Sequence, residues 1–315
     1  MTRLIIAAIG GMLILALALG ATLLWARTEL HRPLVLEQPE VVEIPSGTPL
    51  GRVAAELERR GMLRHPAVLS WYGRLSGEAA RIKAGEYVLQ PGVSAAEALA
   101  KFVAGDVRLY SFTIVEGWTA AEAVRALQEH PAIISTLEPY DPAALLEAVE
   151  AVEEHPEGLL FPDTYHFPKG SEDVTILRRA YTLMEERLQA AWLSRRDDIP
   201  LQSAYEALIL ASIIEKETAR DDERRRIAGV FTRRLERGMR LQTDPTVLYG
   251  LGDAYDGNIR RRDLRTDTPY NTYTRSGLPP TPIALPGQAS LEAAVNPADG
   301  DALFFVATGE PDGSH

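Results

Sequence analysis

The chain has 315 residues, 46% of them hydrophobic, enough for two domains and a sizeable core. A net charge of −11 excludes a nucleic-acid-binding surface, which needs clustered Lys and Arg. The lack of cysteine excludes disulfides, thiolate metal sites and a Cys nucleophile.

Leu4 to Trp25 is an uncharged apolar run between Arg3 and Arg27, long enough to cross a hydrocarbon core. A cleaved signal peptide would have a shorter apolar region and a small-residue end, whereas Ala18-Leu-Gly-Ala21 continues into Thr-Leu-Leu-Trp. The run therefore reads as an uncleaved anchor, 4–25, behind a cytoplasmic tip, 1–3. Positive charges on its two sides nearly balance, so orientation rests on the large acidic remainder, most simply exported. Residues 26–40 read as a polar, proline-containing linker.

Beyond the linker a small unit recurs: strand end, Gly turn, capped helix. It begins at Ile44-Pro-Ser-Gly-Thr-Pro-Leu, at Leu89-Gln-Pro-Gly-Val-Ser and at Ile114-Val-Glu-Gly-Trp-Thr. Thr48 with Pro49 caps the first helix, while Ser94 with Glu97 and Thr119 with Glu122 form capping boxes for the others. Helical spacing buries Leu50, Val53 and Leu57 in the first, Leu99 and Phe102 in the second, Val124 and Leu127 in the third. His65 to Leu75 reads as another helix and Lys83 to Leu89 as a strand. Residues 41–105 thus form a compact α+β module, and 106–315 a second, mixed α+β domain. Such a tethered module either binds an extended polymer or serves as a spacer.

Residues 138–157 read as an acidic helix with a solvated face. Leu159-Leu-Phe-Pro-Asp-Thr-Tyr-His-Phe-Pro168 is ring-rich and broken by proline, either one wall of a carbohydrate cleft or a core strand with a turn. Val174 to Trp192 reads as a long helix burying Ile176, Ala180, Leu183 and Leu188. From Asp222 to Arg237 an amphipathic helix puts Ile227, Val230, Phe231 and Leu235 inside. Arg224, Arg225, Arg233, Arg234 and Arg237 lie outside, and Gly238 ends the helix.

Between these two, Ser203 and Glu206 open a helix over 203–219 whose buried stripe is Tyr205, Ile209, Leu210, Ile213 and Ile214. Glu215 stands on another face. Its neighbours at three and four residues are Ala211, Ser212, Thr218 and Ala219, small enough for a ligand to approach. None is a cation, so the usual helix-surface ion pair is missing, although Glu217 has one in Arg220. A carboxyl group against apolar walls keeps its proton toward neutral pH and can act as a general acid. A structural Glu paired to a distant Arg is the other reading.

Two loops concentrate hydrogen-bonding groups. Leu241-Gln-Thr-Asp-Pro-Thr-Val247 offers Gln242, Thr243 and Asp244, and Tyr270-Asn-Thr-Tyr273 offers Asn271 and Tyr273 ahead of Gly277-Leu-Pro-Pro280. Amides and hydroxyls suit sugar hydroxyls and N-acetyl groups, and prolines lower the entropy of holding them. Asp244 also reads as an N-cap or turn residue.

Ala211-Ser-Ile-Ile-Glu-Lys-Glu-Thr218, Leu241-Gln-Thr-Asp-Pro-Thr-Val247 and Tyr270-Asn-Thr-Tyr273 with Gly277-Leu-Pro-Pro280 occur in one order and spacing. With Glu116-Gly-Trp118 and Gly158-Leu-Leu-Phe-Pro-Asp-Thr-Tyr165, they closely resemble the endolytic murein transglycosylase (YceG-like) family over nearly the whole chain. The resemblance implies an anchored protein of the cytoplasmic (inner) membrane with its catalytic domain on the outer, periplasmic side. It makes 41–105 a LysM-like module and 106–315 the transglycosylase domain. The implied reaction is internal cleavage of the β-1,4 bond between N-acetylmuramic acid and N-acetylglucosamine in nascent peptidoglycan. It leaves 1,6-anhydromuramyl ends and helps to set glycan strand length beside peptidoglycan synthases.

The family's essential Glu falls on Glu215, as single acid and base, with the muramyl 6-hydroxyl as internal nucleophile. Ordinary glycosidases need two carboxylates. Gln242, Thr243, Asp244, Asn271 and Tyr273 are then substrate-binding candidates. Neither a cofactor nor a metal is implied, and six scattered histidines without His-Glu-x-x-His spacing give no metal motif. Two departures stand out: Thr281 where the family commonly has Gly, and an end at Gly313-Ser-His315 where relatives continue, which reads as a truncated C-terminus. The competing readings are a hydrolytic muramidase using Asp244 or Glu217 as second carboxylate, and a non-catalytic cell-wall-binding scaffold.

Overall fold

The computed structural model describes residues 2–137 and 140–306. Met1, the Glu138-Pro139 pair and the end at Gly313–His315 lie outside the described residues. The chain divides into two compact units, 1–110 and 111–315, of mixed α and β structure.

In the first unit, α1 (Thr2–Leu30) contains a stretch, Ile9–Leu30, long and apolar enough to cross a membrane. Its described leucines from Leu13 to Leu24 are exposed on the protein itself. The segment after it is not a free linker. Leu30 and Leu34 are buried in the module's core, and the N–H groups of Leu34 and Val35 donate to the carbonyls of Val93 and Met62. The apolar side chains in this stretch dock it, which its polar and proline residues concealed.

The module runs β1 (Glu40–Ile44), α2 (Leu50–Arg59), α3 (Pro66–Leu75), β2 (Gly85–Leu89) and α4 (Ala95–Ala104). β1 and β2 pair antiparallel with Val42 opposite Tyr87, so alternate residues of both strands face the helices. Leu57, Leu69, Leu99 and Phe102 close the core from the helical side. The capping box of Ser94 and Glu97 is present in full at α4. At α2 the expected Thr48 cap is replaced: the helix starts at Leu50, with Pro49 as N-cap and no side-chain bond.

β3 (Leu109–Thr113) spans the division at 110/111, and the second unit continues with α5 (Ala120–Gln128), opened by the complete Thr119–Glu122 box. Next come β4 (Ile133–Ile134), α6 (Pro142–Val149), β5 (Thr164–Pro168) and β6 (Ser171–Glu172). β3 pairs with β5, and β4 pairs in parallel with β6. The acidic helix is therefore shorter than 138–157; after Val149 the chain leaves it through Glu150 in the left-handed region, φ 60°. Leu159, Leu160, Phe161, Tyr165 and Phe167 are all buried, so the ring-rich segment is core rather than cleft wall. Gly158 before it has φ 82°, and a Cβ there would strike Pro282 at 2.6 Å.

Four helices and a final one build the rest: α7 (Asp173–Leu193), α8 (Ala204–Glu217), α9 (Asp221–Glu236), α10 (Asp244–Leu251) and α11 (Gln288–Val295). On α7 the buried line is Ile176, Leu177, Ala180, Tyr181, Met184 and Ala191; Leu183 and Leu188 are only half-buried. On α9 two arginines expected outside are inside. Arg224 and Arg234 are buried, the latter donating to the carbonyls of Leu303 and Leu241, while Leu235 is half-buried. Their charged ends find acceptors, which lets the long stems occupy core space.

Candidate active site

α8 is the central helix of the second unit. Ala207 to Ile214 are buried without a break, because small and apolar residues occupy every face and α7, α9, α10 and α11 pack around them. Ser203 caps its start by accepting from the Glu206 N–H, while the Glu206 carboxylate takes the N–H of Gln202 instead of closing the box. The face expected to admit a ligand is closed over the body of the helix. Ala211 and Ser212 are wholly buried, and Ser212 Oγ donates to the Ile209 carbonyl at 2.7 Å and accepts the Ile283 N–H at 3.0 Å. Beyond this buried stretch the last turn, Glu215 to Glu217, emerges from the packing, as does the first, Ala204 to Glu206.

Glu215 is not a carboxylate among apolar walls. Its side chain is only 6% exposed, and Arg224 Nη2 donates to Oε1 at 3.4 Å. The Gly287 N–H donates to Oε2 at 3.0 Å from the start of α11. Arg224 is itself held by Ser290 Oγ at 3.1 Å and by Asp221. The partner missing within one turn of α8 is thus supplied by the next helix. Arg224 also lines a cleft of about 550 Å³ with Asp221, Gln288 and Glu292.

Three sequence motifs meet at this point. Lys216 Nζ donates to the Gly117 carbonyl at 3.1 Å, the Gly117 N–H to the Leu285 carbonyl at 2.9 Å, and the Leu285 N–H to the Trp118 carbonyl at 2.7 Å. Glu116-Gly-Trp118, Glu215-Lys-Glu217 and Leu285-Pro-Gly287 are stapled together by these bonds. The Glu116 side chain lies on Gly287 so closely that a Cβ there would fall 1.7 Å from Oε1. Partial burial pushes the Glu116 carboxyl above its ordinary range, and the negative charge of Glu215 adds to the effect against the opposing pull of Arg224.

The two loops approach the end of α8 through Glu217, which accepts the Thr243 hydroxyl. They are tied to each other as well: the Gln242 N–H donates to the Thr272 carbonyl at 3.2 Å and Tyr273 Oη to Asp244 Oδ1 at 2.6 Å. Gln242 is exposed and held at φ 50°, a strained region for a residue with a side chain. Asp244 is exposed and Tyr273 half-exposed, so both can meet a ligand. Thr243 and Asn271 are buried and engaged. The Asn271 amide donates to the carbonyls of Asp263 and Thr266 and accepts the Tyr273 N–H, which makes it the organiser of its loop. Thr281, standing where Gly is common, joins its hydroxyl to Tyr270 Oη at 2.8 Å.

Three groups escaped the sequence reading. The amphipathic pattern puts Arg224 on the solvent side of α9, because the partners that bury it come from α8 and α11 as well as its own helix. Glu116 carried a signal in the Glu-Gly-Trp motif, but nothing local to it revealed Glu215. Glu157 is 4% exposed; its Oε1 accepts the Ala120 N–H at 2.9 Å and its Oε2 the Tyr249 hydroxyl at 3.1 Å. Burial raises its carboxyl to about 7.

Known proteins resemble the chain in sequence and in fold. The crystal structure of a yceG-like protein from Listeria monocytogenes matches with a TM-score of 0.52 at 29% identity, over 87% of this chain and 95% of that one. A Bacillus subtilis (strain 168) protein named endolytic murein transglycosylase is 29% identical over 283 residues, 84% of this chain and 78% of its own length. A Streptococcus pneumoniae serotype 2 protein of the same name is 29% identical over 306 residues, and the match spans about half, 54%, of its length. The fold and these likenesses define a mixed α+β protein of the YceG-like type. The profile of the YceG-like family matches residues 42–315, and the chain belongs to that family.

Proposed function

We propose that this protein is a peptidoglycan lytic transglycosylase in which Glu215 is the acid and base. One observation carries the reading: a single buried glutamate at the emerging end of the central helix, held by Arg224 and the Gly287 N–H where three motifs meet. Relatives named endolytic murein transglycosylase support the substrate class.

Protonated Glu215 gives its proton to the glycosidic oxygen as the bond from muramyl C1 breaks. The muramyl O6 then forms a bond to C1, and its hydroxyl proton returns to Glu215. Atoms balance without water, giving a 1,6-anhydromuramyl end and a free 4-hydroxyl on the leaving N-acetylglucosamine. Arg224 and the Gly287 N–H steady the carboxylate left after the first proton transfer. Gln242, Asp244 and Tyr273 offer exposed polar groups for the N-acetyl and hydroxyl groups of the strand, with Thr243 and Asn271 shaping the loops that carry them. In the same proposal α1 anchors the chain in the cytoplasmic membrane, the remainder faces outward, and the module at 41–105 engages the glycan.

The test is mass spectrometry of glycan strands incubated with purified full-length protein in detergent, wild type beside Glu215→Gln. Anhydro ends from wild type and none from the variant are expected. Only reducing ends, heavier by one water, would establish hydrolysis instead. Cleavage by Glu215→Gln at the wild-type rate would remove Glu215 from the chemistry.

A further inference from the structure

An apolar face of α3 is left uncovered in the first unit. Val68, Trp71, Tyr72 and Leu75 recur along it at helical spacing, while the core takes another face through Leu69 and Gly73. A Cβ at Gly73 would strike the Leu50 side chain at 2.3 Å, so α3 is pressed onto α2 from that side. On the free stripe Leu75 is 83% exposed and Trp71 62%, with Tyr72 exposed beside them. An uncovered apolar cluster of this kind marks a surface for protein or lipid. Its position beside α1 selects between them. Trp71, Tyr72 and Leu75 line a groove of about 900 Å³ together with Leu23, Trp25 and Arg27 of α1. The Trp25 ring meets that of His65, just before α3, edge to face at 5.1 Å.

We infer that this stripe of α3 docks in the interface of the bilayer that α1 crosses, its occupant being phospholipid headgroups and upper acyl chains. The inference rests on the proposed role of α1 as the anchor. An α-helix rises 1.5 Å per residue, so about 20 residues cross a hydrocarbon core of about 30 Å. The run from Leu4 to Leu23 has that length, which leaves Trp25 at the hydrocarbon border and Arg27 among the headgroups. Trp71, Tyr72 and Leu75 open on the same groove as Leu23 and Trp25, so they lie at that border too. Tryptophan and tyrosine suit it, having an apolar body and a polar tip. An apolar helix face in this setting sinks about 5–10 Å into the boundary. The charges agree. Among the described residues Arg27 and Arg64 line the groove against one acid, Glu58, and the Arg74 guanidinium lies 6.0 Å from the Trp71 ring. Guanidinium groups take phosphate oxygens in paired hydrogen bonds. A soluble partner could reach the stripe only by displacing lipid.

The chain has no cysteine, so one introduced thiol reports one position. Full-length Leu75→Cys and Leu13→Cys, the latter midway along the apolar run, each receive an environment-sensitive nitrobenzoxadiazole dye. Both are reconstituted into phosphatidylethanolamine–phosphatidylglycerol vesicles that carry a nitroxide either on the headgroup or deep in the acyl chain. The dye on Leu75→Cys should emit to the blue of free dye in buffer and lose more emission to the shallow nitroxide than to the deep one. On Leu13→Cys that order should reverse. Adding Trp71→Ser and Tyr72→Ser to Leu75→Cys should return its emission toward that of free dye, with melting unchanged because both rings are exposed. If that variant melts early, the quenching of Leu75→Cys alone decides. A Leu75→Cys dye that emits as in water, while Leu13→Cys is quenched, overturns the docking and leaves the anchor standing. A blue-shifted Leu75→Cys dye that neither nitroxide quenches is covered by protein, a second copy or the chain's own second unit, and also overturns it. So does undiminished quenching after loss of both rings. No quenching on Leu13→Cys removes the anchor, and the docking falls with it.

Discussion

Arg224 reaches Glu215 from nine residues farther along the chain, across the turn between α8 and α9, and both side chains are only 6% exposed. One guanidinium thereby links the end of α8 to Asp221 at the start of α9 and to Ser290 in α11. A planar cation with five donors in a rigid fork serves three acceptors spread over three elements, whereas the three donors of a lysine sit on a single nitrogen.

Replacing Arg224 with alanine should therefore damage stability as well as activity. Breaking a buried pair from one side leaves a charge without compensation, at a cost of about 3–5 kcal/mol. Arg224→Lys keeps the charge but not the fork and should fall between the two. Urea unfolding followed by circular dichroism checks this. An Arg224→Ala midpoint within experimental error of wild type would show that the pair contributes no stability.

Glu157 should make the fold less stable as pH rises. Its carboxyl is raised from an ordinary 4.5 to about 7, so between those values the folded state holds a proton that the unfolded state has released. The stabilisation is complete below about 4.5 and lost as pH climbs through 7, a change on the order of 3 kcal/mol for a shift of this size. Glu157→Gln keeps an acceptor for the Ala120 N–H and lets the Tyr249 hydroxyl rotate. Its urea midpoint should vary less between pH 5 and pH 8 than that of wild type.

Gln242 offers a separation of stability from function. Glycine at this φ of 50° removes strain worth about 1–2 kcal/mol, less the entropy that glycine restores to the unfolded chain. Gln242→Gly should melt no lower than wild type and yet cleave strands more slowly. Equal cleavage rates would remove the Gln242 side chain from the set that binds substrate.

The absence of cysteine makes sidedness simple to read. Ser46 is exposed in the turn after β1, and Ser46→Cys adds the sole thiol of the chain. A membrane-impermeant maleimide should label it on intact spheroplasts, in keeping with an outward-facing module. Labelling only after lysis would place the module inside.

What the sequence revealed and what it concealed divide along physical lines. The boxes at Ser94–Glu97 and Thr119–Glu122 were legible because both partners lie within four residues. So was the run of apolar residues in α8, although its burial on every side exceeds the single stripe that helical spacing implies. Arg224 and Arg234 were misplaced because a helical wheel treats every arginine as solvated, whereas their acceptors come from other elements. Asn271 shows the converse. Its amide suits a sugar as well as it suits a loop, and only the carbonyls of Asp263 and Thr266 decide between them. Glu116 and Glu215 both meet Gly287, one on its α-carbon side and one at its N–H, a convergence of three distant segments that no local spacing reveals.

Leu30 closes the apolar helix and is also a core residue of the module, followed within four residues by Leu34 in the same core. A helix that ends inside the domain it carries is a bracket, not a leash. Seated in a bilayer, it would fix the distance of the module from the lipid surface and leave little freedom to tilt or reach outward. The module would then stand at one height above the membrane, and longer reach would require a longer helix rather than a looser one.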